Sequence, residues 1–155
     1  MAGLAPLLRD EPGVTHALGD PSARLAVAEV ARPITLAALS HLSGRRPLVV
    51  ACPTGTMAGQ LADDLGRFLP PGEVALFPAW ETLPFERVSP SVETMGTRLE
   101  VLWRLRDPER TPAVIVAGVR AAERPPTRRR IARSTPSTTA IWARTVCPRT
   151  PGPLP

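Results

Sequence analysis

Apolar and polar positions alternate between two kinds of pattern along the first 120 residues. "PLVVA" (Pro47–Ala51) is short and uniformly apolar, which predicts a strand covered on both faces. Met57, Leu61, Leu65 and Phe68 then recur at helical spacing, while Gln60, Asp63, Asp64 and Arg67 lie elsewhere around the same helix. The prolines at 70 and 71 end it. "EVALFP" reads as a second strand and leads into the loop "AWETLPFERVSP". "SVETMGTRLEVLWRLRD" predicts a helix with Met95, Leu99, Leu102 and Trp103 inward, and "TPAVIVAGVRA" a third strand.

The earlier chain is less regular. Residues 1–23 read as a poorly ordered leader with a short helix around Leu4–Arg9. "RLAVAEVARP" fits either a strand at Leu25–Ala28 or a helical turn capped by Asp20 with Pro21 at its first position. Pro33 suits a helix start, and "PITLAALSHLSG" places Ile34, Ala37, Ala38 and Leu42 on one face before Gly44 stops it. Strands are thus expected near 48–51, 74–77 and 113–117, and helices near 33–43, 57–69 and 93–106. Strands alternating with helices imply right-handed parallel crossovers and the α/β class.

The periodicity stops after Ala122. Residues 122–155 are rich in Arg, Pro and Thr without helical or alternating order, a composition that predicts disorder. Charge divides at the same place. Residues 1–120 carry 12 Arg against 13 Asp and Glu, whereas residues 121–155 carry seven Arg against Glu123 alone. The formal +5 of the whole chain therefore belongs to the tail. All 19 basic residues are arginine, which with the many Ala, Pro and Gly points to GC-rich codons. Aperiodic Arg/Pro/Thr sequence is also what such DNA yields in a shifted reading frame. A frame-shifted or truncated reading is one expectation for the tail, and a real basic arm holding nucleic acid through Arg128, Arg129 and Arg130 is the other.

The strand–loop–helix at Pro47–Leu69 has the layout of a phosphate-binding loop. A working loop is GxxxxGK[ST], with backbone N–H groups around the phosphates, Lys on the β/γ charge and a hydroxyl on magnesium. Here "CPTGTM" puts Cys52 at the first glycine, Met57 and Ala58 stand near the Lys-Ser/Thr positions, and the chain contains no lysine. Thr54, Gly55 and Thr56 remain as a vestigial loop able to cap the helix, with at most a weak anion site. A plain capped turn is the simpler reading.

"EVALFPAWETLPFERVSPSVETMGTRLEVLWRL" resembles bacterial transcription-repair coupling factors (Mfd). Phe77, Pro78, Trp80, Glu81, Thr82, Leu83 and Pro84 match that family's Phe-Pro-x-Trp-Glu-Thr-Leu-Pro block, and Ser89, Pro90, Arg98 and Leu99 match the Ser-Pro and helical Arg-Leu beyond it. The likeness covers about residues 24–121. It implies a three-layer α/β, RecA/P-loop-like half domain with an incomplete parallel sheet, similar to the first domain of the B-type excinuclease subunit. The resemblance further implies a non-catalytic scaffold with no catalytic residues, no metal and no cofactor of its own. ATP and magnesium belong to the parent's separate motor. It implies the A-type excinuclease subunit, RNA polymerase and DNA as the parent's partners, and the segments making those contacts are expected to lie outside this chain. A small nucleotide-binding protein is the alternative from the enzyme class.

Remaining candidates weigh little. Trp80 and Phe85 are either a stacking surface for nucleic acid or anchors of a long loop on the sheet. Glu81 and Glu86 lack a His or metal-ligand set beside them, and His16 and His41 stand apart. Arg45, Arg46, Arg87 and Arg98 either contact a phosphate backbone or, the commoner case, form a solvated charged face, since residues 1–120 are nearly balanced in charge. Cys52 and Cys147 make no CxxC or zinc spacing. With no membrane-length apolar run and no signal-peptide pattern, a cytoplasmic protein is expected.

Overall fold

The computed structural model describes residues 3–20, 22–80 and 91–122, together with the backbone of Ala140–Ile141. In chain order the elements are α1 (Pro12–Gly19), α2 (Arg32–Ser43), β1 (Leu48–Cys52), α3 (Gly55–Leu65), β2 (Val74–Phe77), α4 (Val92–Arg104), β3 (Val114–Gly118), the single turn α5 (Val119–Ala122) and β4 (Ala140–Ile141). Short 3-10 helices at Ala5–Asp10 and Glu29–Ala31 precede α1 and α2.

The sheet is wholly parallel, in the order β2-β3-β1-β4. The path from β1 to β2 steps over β3, and the path from β2 to β3 steps back. Right-handed connections that run in opposite directions pass on opposite faces of a sheet. Accordingly α3 packs with α2 on one face and α4 covers the other, which gives the three-layer α/β architecture expected from the sequence. On the α2/α3 face, Leu48 and Val50 of β1 and Val114 and Val116 of β3 meet Leu36, Ala37, Ala58 and Leu65. On the α4 face a smaller cluster joins Ala75, Ile115 and Val101, with Phe77 against it.

β3, flanked on both edges, is buried at every residue. β1 differs from expectation. Leu48, Val50 and Cys52 are buried, but Val49 and Ala51 on the α4 face are half-exposed, because α4 lies against β2 and the β2–β3 cluster.

One carboxylate ties the starts of all three long strands. Glu73, just before β2, accepts a hydrogen bond from the Ala113 N–H at 2.9 Å and pairs with Arg46, before β1, at 3.1 Å. Its carbonyl accepts from Val114 N–H, and Leu48 N–H donates to the Ala113 carbonyl.

α2 begins with Pro33 in its first turn and ends at Gly44, whose φ of 63° is the left-handed value a glycine supplies there. Its buried face is Pro33, Leu36, Ala37, Ala38, Leu39 and Ser40, broader than expected, with Ile34 and Leu42 at its margins. Ala5 and Val14 are core residues, and their segment packs on α2. Asp20 makes a side-chain turn, accepting from Ser22 N–H at 2.8 Å, and residues 25–28 form neither strand nor helix.

α3 starts two residues earlier than expected and ends at Leu65, four residues short, with Phe68 packing from the turn beyond. α4 carries the main correction. Met95, Leu99, Leu102 and Trp103 are 40%, 59%, 46% and 55% exposed. The face on the sheet is Thr94, Arg98 and Val101, which is the same helical spacing one residue earlier, about 100° around the axis. The disorder expected for 122–155 lies outside the described residues, apart from the two-residue strand β4 beside Val49–Val50.

Candidate functional site

The loop between β1 and α3 is a tight, closed cap. Cys52 ends β1, and only Pro53 and Thr54 separate it from the first turn of α3. Pro53 has no N–H to offer a ligand. Thr54 is the N-cap, extended at φ −129° and ψ 159°, and its Oγ1 accepts from Met57 N–H at 3.2 Å. The Thr54 carbonyl accepts from Ala58 N–H at 3.1 Å. The cap is thus Thr54 alone, while Gly55 and Thr56 form the first exposed turn of the helix.

Counting GxxxxGK from Cys52 places Ala58 at the lysine, and Ala58 is 0% exposed. A long cationic side chain there would enter the core rather than reach a ligand. Gly118, at the end of β3, closes the loop from the other side. A Cβ built on it would stand 3.1 Å from Gly55 N and 3.2 Å from Thr54 C, so strand and loop backbones touch. The one sequence signal for that approach is a glycine directly ending an apolar strand. Burial pushes the Cys52 thiol up from its ordinary pKa, and Arg32 pulls weakly the other way. The thiol is free and neutral, which suits packing rather than nucleophilic chemistry.

The second cluster joins the family block to α4. The Arg98 guanidinium lies over Phe77 at 4.0 Å from the ring centre and over Trp80 at 4.4 Å, and it donates to the Pro78 carbonyl. It is 8% exposed rather than on a solvated face. Burial lowers its pKa, but an arginine remains a cation. Phe77, Pro78, Trp80 and Arg98 therefore form one structural clamp that holds the chain leaving β2 against α4. Trp80 Nε1 is buried and has no hydrogen-bond partner among the described residues. Glu81, Thr82, Leu83, Pro84, Phe85, Glu86, Arg87, Ser89 and Pro90 lie outside the described residues. Arg46 is committed to Glu73.

Among the described residues, no group of three or more His, Cys, Asp or Glu could hold a metal, and no helix is long and apolar enough to cross a membrane. Among the described residues, the clamp and the loop arrange backbone and packing.

No family model matches the chain. Two curated proteins do: the transcription-repair-coupling factors of Mycobacterium bovis and Mycobacterium tuberculosis, each 44% identical over 93 residues, or 57% of this chain. Those 93 residues are 8% of either relative, so the chain spans a small part of the proteins it matches. Over that stretch the chain is homologous to transcription-repair-coupling factors.

Proposed function

We propose that this chain is a segment of a transcription-repair coupling factor and serves as a non-catalytic scaffold module, a nucleotide-binding architecture without nucleotide chemistry. The observation that carries this reading is Ala58, fully buried where a phosphate-binding lysine would stand, beneath a loop whose cap is already made by Thr54. The chain contains no lysine, so the lysine contact to the β/γ-phosphates that a working loop makes is missing. The module itself takes no cofactor. ATP and magnesium are used by the parent's motor, and the parent links stalled RNA polymerase on DNA to the A-type excinuclease subunit through other segments. Its compartment is the cytoplasm. The role left to this module is to hold its neighbours at a fixed spacing.

Titration calorimetry with magnesium ATP tests the proposal. The expected result is no binding isotherm up to millimolar nucleotide. Micromolar, magnesium-dependent affinity would overturn it in favour of a small nucleotide-binding protein. Salt-sensitive DNA binding lost on deletion of residues 123–155 would instead favour a basic arm.

A further inference from the structure

β1 is joined to β3 along its whole length, from Leu48 to Cys52, but meets β4 only at Val49 and Val50. Leu48 N–H donates to the Ala113 carbonyl. Backbone groups alternate in direction along a strand, so those of Leu48, Val50 and Cys52 face β3, while those of Val49 and Ala51 face the opposite edge. Val49 and Ala51 are also half-exposed. Left bare, an apolar edge of this kind is a template for a strand of another chain.

β4 lies along that edge, with Ala140 opposite Val49 and Ile141 opposite Val50. In a parallel pair, a residue that faces its partner strand bonds to the two neighbours of the residue opposite. The register thus directs Ile141 N–H at the Val49 carbonyl and Ala51 N–H at the Ile141 carbonyl, and it turns Ala140 N–H outward. Between α5 and β4 stand the 17 residues 123–139, against the dozen or more that a parallel crossover needs. β4 is itself a poor template. It is two residues long, and in sequence Pro136 precedes it and Arg144 follows it; shortness, proline and charge each blunt an edge.

We propose that the outer edge of β1 is a strand-acceptor site, that its occupant is the Ala140–Ile141 stretch of the same chain, and that this stretch closes the edge to a second copy. Residue-resolved amide hydrogen exchange on the full chain tests it, read against Val50, whose amide faces β3. In the wild type, Ala51 and Ile141 amides should exchange at least about tenfold more slowly than those of exposed loops, a result that needs no variant to fold. Ile141→Pro removes the inward donor and should speed Ala51 exchange about tenfold while Val50 stays protected. Ala140→Pro removes only an outward N–H and should leave Ala51 protected. In sedimentation velocity at about 100 μM, Ile141→Pro should self-associate where the wild type and Ala140→Pro stay monomeric. Loop-like exchange at Ala51 in the wild type, or protection unchanged in Ile141→Pro, would overturn the proposal. So would an Ala140→Pro variant as damaged as Ile141→Pro, or an Ile141→Pro chain that stays monomeric with Ala51 released.

Discussion

Arg98 of α4 lies over the Phe77 ring at 4.0 Å, and this contact joins the end of β2 to the helix after it. With Trp80 on the same guanidinium and the Pro78 carbonyl as acceptor, a buried charge is fully used by packing. Replacing Arg98 by Ala removes the cation, its stacking and a charged hydrogen bond together. The expected loss of stability is about 2–4 kcal/mol by urea denaturation. Arg98→Lys should recover less than half, because an ammonium cannot stack as a plane or present a fork of donors.

Gly118→Ala should destabilise the chain by about 1–3 kcal/mol, the range for forcing an extra methyl into a packed site. The methyl would meet the backbone of Thr54 and Gly55, which cannot turn away as a side chain would. An equally stable Gly118→Ala variant in thermal melts would show that the loop and β3 have room to separate.

Thr54→Ala should cost about 1 kcal/mol through loss of the cap on Met57 N–H. Thr54→Ser keeps an acceptor at the same reach and should cost clearly less. Paired chemical denaturation curves check the order of the two.

At the opposite rim, Glu73→Ala should cost about 1–3 kcal/mol, since it leaves the part-buried Ala113 N–H without its acceptor and breaks the pair with Arg46. Glu73→Gln retains an amide oxygen for that N–H and should lose only part of this. High salt should narrow the gap between wild type and Glu73→Gln, because what separates them is largely the charge pair.

The Cys52 thiol gives a pH dependence with a definite sign. Burial raises its folded pKa above the unfolded value of 9.0, so just above pH 9 the unfolded chain has lost a proton that the folded chain keeps. The stability this contributes is complete below that value and falls as pH rises through it. In a Cys147→Ser background, urea midpoints between neutral pH and about pH 10 should decline, and Cys52→Ala should remove part of the decline.

Most of the architecture is legible in residues 33–118, where local pattern and tertiary demand coincide. Uniformly apolar runs become strands, Pro33 and Gly44 bound α2, and the missing lysine at Ala58 describes the loop's chemistry without its geometry. The facing of α4 cannot be read in the same way. Periodicity gives the spacing of a stripe but not which of two adjacent stripes meets the sheet. Arginine scores as polar, yet two aromatic rings and a carbonyl make Arg98 the inward residue and turn Leu99 out. The packing of the first 20 residues is hidden for a related reason: a single Ala and a single Val reach the core from a 3-10 helix and a two-turn helix, each too short to show a period. The Glu73 tie joins three segments far apart in sequence, and no local pattern marks it.

That tie has a consequence for how such a module can change. Its strands are stitched together at the end away from Thr54, and that tie does not depend on what the opposite end binds. Catalytic equipment could be stripped from one rim, residue by residue, while the framework kept its shape through the other.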